Sequence, residues 1–135
     1  MFHMVMEFCE SGSLADRLKS DIDISWSEKW RWSYEISSGL KYLHNNGILH
    51  RDLKTENILL DKWLRAKLSD FGVAQIDMLL QEKEASVVAK GIQDKRYIPP
   101  ETYFNSNLST KEGDIYALGL VFWQIASRAE LRRFY

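Results

Sequence analysis

Apolar positions open the chain: Met1 to Phe8 is interrupted only by His3 and Glu7, and no cap or turn precedes it, which suits a buried strand entered partway. After Glu10-Ser11-Gly12, Ser13 stands three residues ahead of Asp16, the spacing of a capping box, and predicts a short helix through Leu18. Ser25 and Glu28 repeat that spacing and open a longer periodic stretch, with Ile36, Leu40 and Leu43 on one face and Gly47 as a suitable stop. From Ile48 to Leu60 the helical period lapses. Leu64 to Leu68, followed by Asp70-Phe71-Gly72, predicts short strands flanking loops. Gln75 to Gln93 is polar, charged and weakly patterned, which predicts a mobile loop. Pro99-Pro100 blocks helix continuation and fixes extended backbone before Glu101. A third box, Ser109-Thr110-Lys111-Glu112, precedes Asp114 to Ser127, a segment apolar nearly all round and so expected in a core.

Composition narrows this little further. With 135 residues, 45% hydrophobic and 27% charged, the sequence is that of an ordinary globular domain or part of one. Lys plus Arg (18) nearly balances Asp plus Glu (19), so no global field draws the chain to nucleic acid or to an anionic membrane. Cys9 is the single cysteine and has no internal partner, and no signal-peptide pattern opens the chain; a reducing, cytoplasmic setting is expected. The most apolar run, Ile115 to Ala126, is interrupted by Gln124 and falls short of the roughly 20 residues that cross a bilayer, so no membrane segment is expected.

The chemistry concentrates in His50-Arg51-Asp52-Leu53-Lys54-Thr55-Glu56-Asn57, then Asp70-Phe71-Gly72, then Pro100-Glu101. In order and spacing these resemble the signature set of eukaryotic-type protein kinases, H-R-D-x-K-x-x-N, D-F-G and A-P-E. The resemblance implies an α+β, protein-kinase-like fold, mainly the helical large lobe with short strands around a catalytic loop. It also implies transfer of the ATP γ-phosphate to a protein hydroxyl with Mg²⁺. Asp52 would orient or accept the proton of the substrate hydroxyl, Lys54 would steady the transferred phosphoryl group, and Asn57 and Asp70 would offer hard oxygen ligands to magnesium. As Asx residues they are also ordinary loop formers, the plainer reading that their joint spacing argues against.

Upstream, Met4 to Leu14 looks like the last small-lobe strand, the hinge and the start of the next helix. On that resemblance Met6 is the gatekeeper, the backbone of Glu7 and Cys9 bonds adenine, and Leu59 lies under the ring. His50 is expected as a hydrogen-bonding support beneath the loop. Arg51 is expected either in a salt bridge within the loop or as a socket for a phosphate on the activation segment. Phe71 is expected as hydrophobic packing, and Asp114 as an anchor bonding back to the catalytic-loop backbone. Lys54 points to serine/threonine preference, and the sequences around Ser11 and Leu120 to the tyrosine-kinase-like group. One departure stands out: many members carry Gly-Thr before the Tyr-x-x-Pro-Glu end, with a threonine that helps hold the catalytic Asp and Lys, whereas Gly91 to Tyr97 reads Gly-Ile-Gln-Asp-Lys-Arg-Tyr. No threonine occurs between Asp70 and Glu101, and Ser86 is the only Ser or Thr there that a switching phosphorylation could use.

The resemblance covers residues 1–135 but only about half of a catalytic domain, from the hinge strand to the helix after the activation segment. A G-x-G-x-x-G loop, a strand lysine in a V-A-I-K context and an arginine partner for Glu101 are missing from it. The isolated chain is therefore expected to be inactive, with a buried unpaired carboxylate at Glu101 and a core helix short of neighbours. A non-catalytic, kinase-derived module that binds partners through its surface is the alternative; a protein substrate and ATP are the partners of the first reading.

Overall fold

The computed structural model describes residues 5–69, 75–76, 93–103 and 110–132. Helix α1 (Leu14–Lys19) starts where Ser13 Oγ accepts the Asp16 N–H at 3.1 Å, and it buries Leu14, Ala15 and Leu18. Helix α2 (Trp26–Asn45) has the full box: Glu28 N–H donates to Ser25 Oγ, and Ser25 N–H donates to the Glu28 carboxylate, each at 3.2 Å. Its buried face is Lys29, Trp32, Ile36, Leu40 and Leu43, the helical period read from the sequence. It stops at Asn46, and Gly47 takes the left-handed conformation (φ +68°) that a residue without Cβ adopts freely.

Four short strands frame the loop between them. Strand β1 (Ile48–Leu49) pairs antiparallel with β4 (Gln75–Ile76), and β2 (Ile58–Leu60) pairs antiparallel with β3 (Ala66–Leu68). The β2–β3 turn is shaped by Asp61, whose Oδ1 accepts the N–H groups of Trp63 and Arg65 at 2.9 Å each. These bonds, Arg65's foremost, hold the Asp61 carboxyl below its usual range. Leu64 adopts positive φ (+60°) there, and its carbonyl accepts the Trp32 indole N–H at 2.7 Å, so the turn is fastened to α2. Strand β3 packs tightly on α2, because a Cβ on Gly39 would sit 3.2 Å from Leu68 Cδ1.

Helix α3 (Lys111–Ser127) crosses behind the loop and completes one core with α1, α2 and β2, built from Leu14, Trp32, Ile36, Leu40, Ile58 and Val121 among others. The buried Lys29 ammonium donates to the Ala126 carbonyl at 2.9 Å, placing a cation at the negative end of α3.

The structure corrects several expectations. Val5, Met6 and Phe8 are exposed, and among the described residues they pair with no strand, so residues 5–8 are not part of a buried strand here, while residues 1–4 of the expected strand lie outside the described residues. A strand exists by its partner, which the apolar pattern alone does not supply. Helix α3 begins earlier than expected, at Lys111, with Thr110 as its cap; the third helical position is Gly113, which has no side chain to complete a box. Nor is α3 core all round: Ile115 and Trp123 are about half exposed, because neighbours cover only the face carrying Asp114, Ala117, Val121 and Ile125. Backbone is extended at Ile98 as expected, but Pro100 opens a 3-10 turn through Tyr103, which suits the fixed φ of proline at a first helical position. Glu101 in that turn is exposed, so it is not the buried unpaired carboxylate anticipated. Among residues 75–93, Gln75–Ile76 form a strand and 77–92 lie outside the described residues.

Candidate active site

Residues 50–57 cross from β1 to β2 as a loop whose backbone is held from below. Asp114, on α3 and only 3% exposed, accepts the His50 N–H with Oδ2 and the Arg51 N–H with Oδ1, both at 2.9 Å. His44, from the last turn of α2, lies 2.7 Å from the same Oδ2. One carboxylate thus fixes two successive peptides, and Arg51 sits between them at φ +69°, a conformation that needs such outside support. Asp114 is the anchor read from the sequence.

His50 is fully buried. Its Nδ1 accepts the Asp52 N–H at 3.2 Å, so the proton is on Nε2, which donates to the Ser69 carbonyl at 3.0 Å. The ring therefore supports the loop from beneath rather than facing a reactant. Burial lowers the affinity of the Arg51 guanidinium for its proton, against the pull of Asp114, and its Nε is buried without a hydrogen-bond partner among the described residues. Of the two uses expected for Arg51, the salt bridge inside the loop does not form there.

Three candidate residues come together above this support. Asn57 Nδ2 donates to the Asp52 carbonyl at 2.8 Å and to Asp52 Oδ2 at 2.9 Å. Lys54 Nζ lies 3.7 Å from Asp52 Oδ1. Asp52 and Asn57 are each 7% exposed, so their orientation is set by packing as well as by these bonds. Asp70 lies outside the described residues, as do Phe71 and Ser86. Its neighbour Ser69 donates both its N–H (2.9 Å) and its hydroxyl (2.8 Å) to the Asn57 carbonyl, which ties that end of the chain to Asn57.

The hinge candidates meet the same strand. Ser11 N–H donates to the Leu60 carbonyl (3.0 Å), Leu60 N–H returns to Gly12 (2.8 Å), and Ser13 bridges to Leu59. Gly12 makes this possible at φ +73°. Leu59 is half-buried two positions beyond Asn57, and Glu7 lies 3.9 Å from Lys67 of β3, so the segment leading into α1 runs along the β2–β3 ladder. Met6 itself is 69% exposed. Burial, with Glu7 adding to it, pushes the Cys9 thiol up, so it is no thiolate at neutral pH.

Profile comparison matches residues 1–133 to the protein kinase domain. The chain belongs to that family. Among kinases, it is 36% identical over 130 residues to wall-associated receptor kinase 2 of Arabidopsis thaliana, covering 92% of this chain and 17% of that protein. LysM domain receptor-like kinase 3 of the same plant is 37% identical, covering 94% of this chain and 20% of the relative. Receptor-interacting serine/threonine-protein kinase 2 of Bos taurus is 36% identical, covering 94% and 25%. The chain thus spans a quarter or less of these kinases' length.

Within this kinase loop the sequence reading overlooked Asp94 and Arg96. Asp94 Oδ2 lies 3.7 Å from Lys54 Nζ, and Arg96 grips Asp94 through Nε (3.1 Å) and a terminal nitrogen (2.7 Å) while reaching to 3.6 Å from Glu56. Gln93 Nε2 donates to the Arg51 carbonyl, and the Tyr97 hydroxyl donates to Gln124 Oε1 of α3 at 2.6 Å. Residues 93–97 are in this way fastened across the catalytic loop. The available signal was an acidic residue two ahead of an arginine, just where the kinase pattern's threonine is wanting.

Proposed function

We propose that these residues are the catalytic-loop core of a protein serine/threonine kinase, and that the protein bearing them moves the γ-phosphoryl group of ATP to a serine or threonine hydroxyl of a protein. The observation that carries this is that Asp52 accepts a hydrogen bond from Asn57 and lies 3.7 Å from the Lys54 ammonium, on a loop clamped from beneath by Asp114.

Phosphoryl transfer asks a protein for positioning and charge compensation more than for covalent chemistry. Asp52 has one oxygen held by Asn57 and the other facing Lys54, so its carboxylate is oriented to accept the substrate hydroxyl's proton. The Lys54 ammonium, beside Asp52, would balance charge on the transferred group. Because Asn57 spends its amide nitrogen on Asp52, its Oδ1 is the atom left for a cation, and with the Asp70 carboxylate it makes a hard-oxygen pair of the kind magnesium takes beside phosphates. Bound Mg²⁺-ATP supplies the transferable phosphoryl group with part of its charge already neutralised. Glu7 and Cys9 would meet the adenine through backbone, Met6 would stand at the back of that pocket, and Leu59 beneath the ring. A cytoplasmic setting and membership of the tyrosine-kinase-like group complete the reading; no helix among the described residues is long and apolar enough to cross a membrane.

Calorimetric titration of ATP into the full product that carries these residues tests the nucleotide half of the reading. Saturable binding that requires Mg²⁺ and is lost in Asp70→Asn and weakened in Asn57→Leu is expected. Binding indifferent to Mg²⁺ and to both substitutions contradicts it.

A further inference from the structure

Charges of alternating sign run in a line away from Asp52. Lys54 Nζ is 3.7 Å from Asp52 Oδ1 and 3.7 Å from Asp94 Oδ2; Asp94 is 2.7 Å from Arg96, and Arg96 is 3.6 Å from Glu56, which stands next to Asn57. The line leaves the catalytic loop, passes through residues 93–97 and returns to the loop.

Its middle member cannot swing away. Asp94 Oδ1 accepts both the backbone N–H and the Nε–H of Arg96 at 3.1 Å, and Asp94 caps the 3-10 turn Lys95–Tyr97. A fork of this kind fixes a carboxylate in angle as well as in place. The turn is itself seated by the bond from Gln93 to Arg51 and by that from Tyr97 to Gln124. Lys54, by contrast, is a point charge on four flexible carbons. A flexible cation lying 3.7 Å from each of two carboxylates is attracted by both. Both distances exceed hydrogen-bonding length, so neither carboxylate captures it.

We propose that Asp94 is a positioning residue for the transfer reaction: held by Arg96, it draws Lys54 off Asp52 and stations the ammonium between them. The inference rests on the kinase reading for its purpose but not for its geometry. Without Asp94, Lys54 closes on Asp52, covers the oxygen that should receive the hydroxyl's proton, and leaves the place where it would meet the transferred group.

Two readouts separate the latch from the kinase reading. The first is ¹⁵N relaxation of the Lys54 ammonium in the full product, with the exposed Lys41 as internal reference. Lys54 is expected to be more ordered than Lys41, to change its resonance and its order in Asp94→Asn, and to return toward the parent in Asp94→Glu, which keeps the charge. A Lys54 signal as mobile as that of Lys41, or unaltered by Asp94→Asn, overturns the proposal. Should Asp94→Asn fail to fold, Lys54→Met reads the same contact from its other side: the Asp94 carboxyl resonance titrates at higher pH once the cation is gone, and an unmoved midpoint overturns the latch. The second readout is steady-state transfer. Asp94→Asn is expected to lower kcat by about 10- to 100-fold with the KM for ATP unchanged, the size of effect that displacing a reacting group causes, and Asp94→Glu to recover part of it. Unchanged kcat overturns the proposal. If the parent protein transfers no phosphate, the kinase reading fails, and the Lys54 and Asp94 resonances still decide the latch.

Discussion

Asp114 and Asp52 show how differently two buried carboxylates can be employed in one site. Asp114 spends both oxygens on loop peptides, so Asp114→Ala strands the N–H groups of His50 and Arg51 at a cost of about 1–3 kcal/mol each. A lower urea midpoint is expected, together with lost transfer. Asp52→Asn, which keeps the shape and the bond to Asn57, is expected to leave circular dichroism and stability nearly unchanged while lowering kcat by about 10²–10⁴-fold, the usual worth of a positioned base. Asp94 makes a prediction in pH. The hydrogen bonds from Arg96 hold its folded carboxyl below the unfolded value, so its stabilisation is complete above about pH 4 and fades as pH falls through the folded value. Arg96→Gln should therefore be less stable than the parent at pH 7, with the gap closing in strong acid; a gap that persists there contradicts the assignment. The contact between Asp52 and Asn57 was legible because the two lie within a few positions of each other. Asp94 was not, because its partner Lys54 is brought to it only by the fold.

Helix α2 was read almost to its ends, since period, box and terminal glycine all act within the helix and agree with one another. Ser25→Ala is expected to cost about 1 kcal/mol, and so is Thr110→Ala at the start of α3, by denaturant midpoint at constant m. Trp32→Ala should cost about 3–5 kcal/mol, because the ring is fully buried and its N–H holds the β2–β3 turn through Leu64. Helix α3 was legible as a helix but not in its orientation. An apolar sequence on every side does not say which side finds neighbours, and here the sides bearing Ile115 and Trp123 stay open. The opening segment failed for the related reason that Val5 to Phe8 carries the composition of a strand without, among the described residues, a partner to make it one.

Across the whole molecule, the helices and two small ladders serve mainly to hold residues 50–57 between β1 and β2, clamp them from α3, and lay residues 93–97 over them. The family was legible from motif spacing, because phosphoryl transfer needs particular side chains at fixed separations. The strap across the loop was not, because it is built from contacts between distant stretches. Within these 135 residues no G-x-G-x-x-G motif and no V-A-I-K lysine occurs, so activity is measured on the full product that bears this sequence. The most direct test of the account is transfer of labelled γ-phosphate from Mg²⁺-ATP to a generic protein substrate, followed by phosphoamino-acid analysis, with Asp52→Asn alongside. Label on serine or threonine, absent with Asp52→Asn, is the result the account predicts. No transfer from a folded protein that binds Mg²⁺-ATP, or transfer that survives Asp52→Asn, would contradict it.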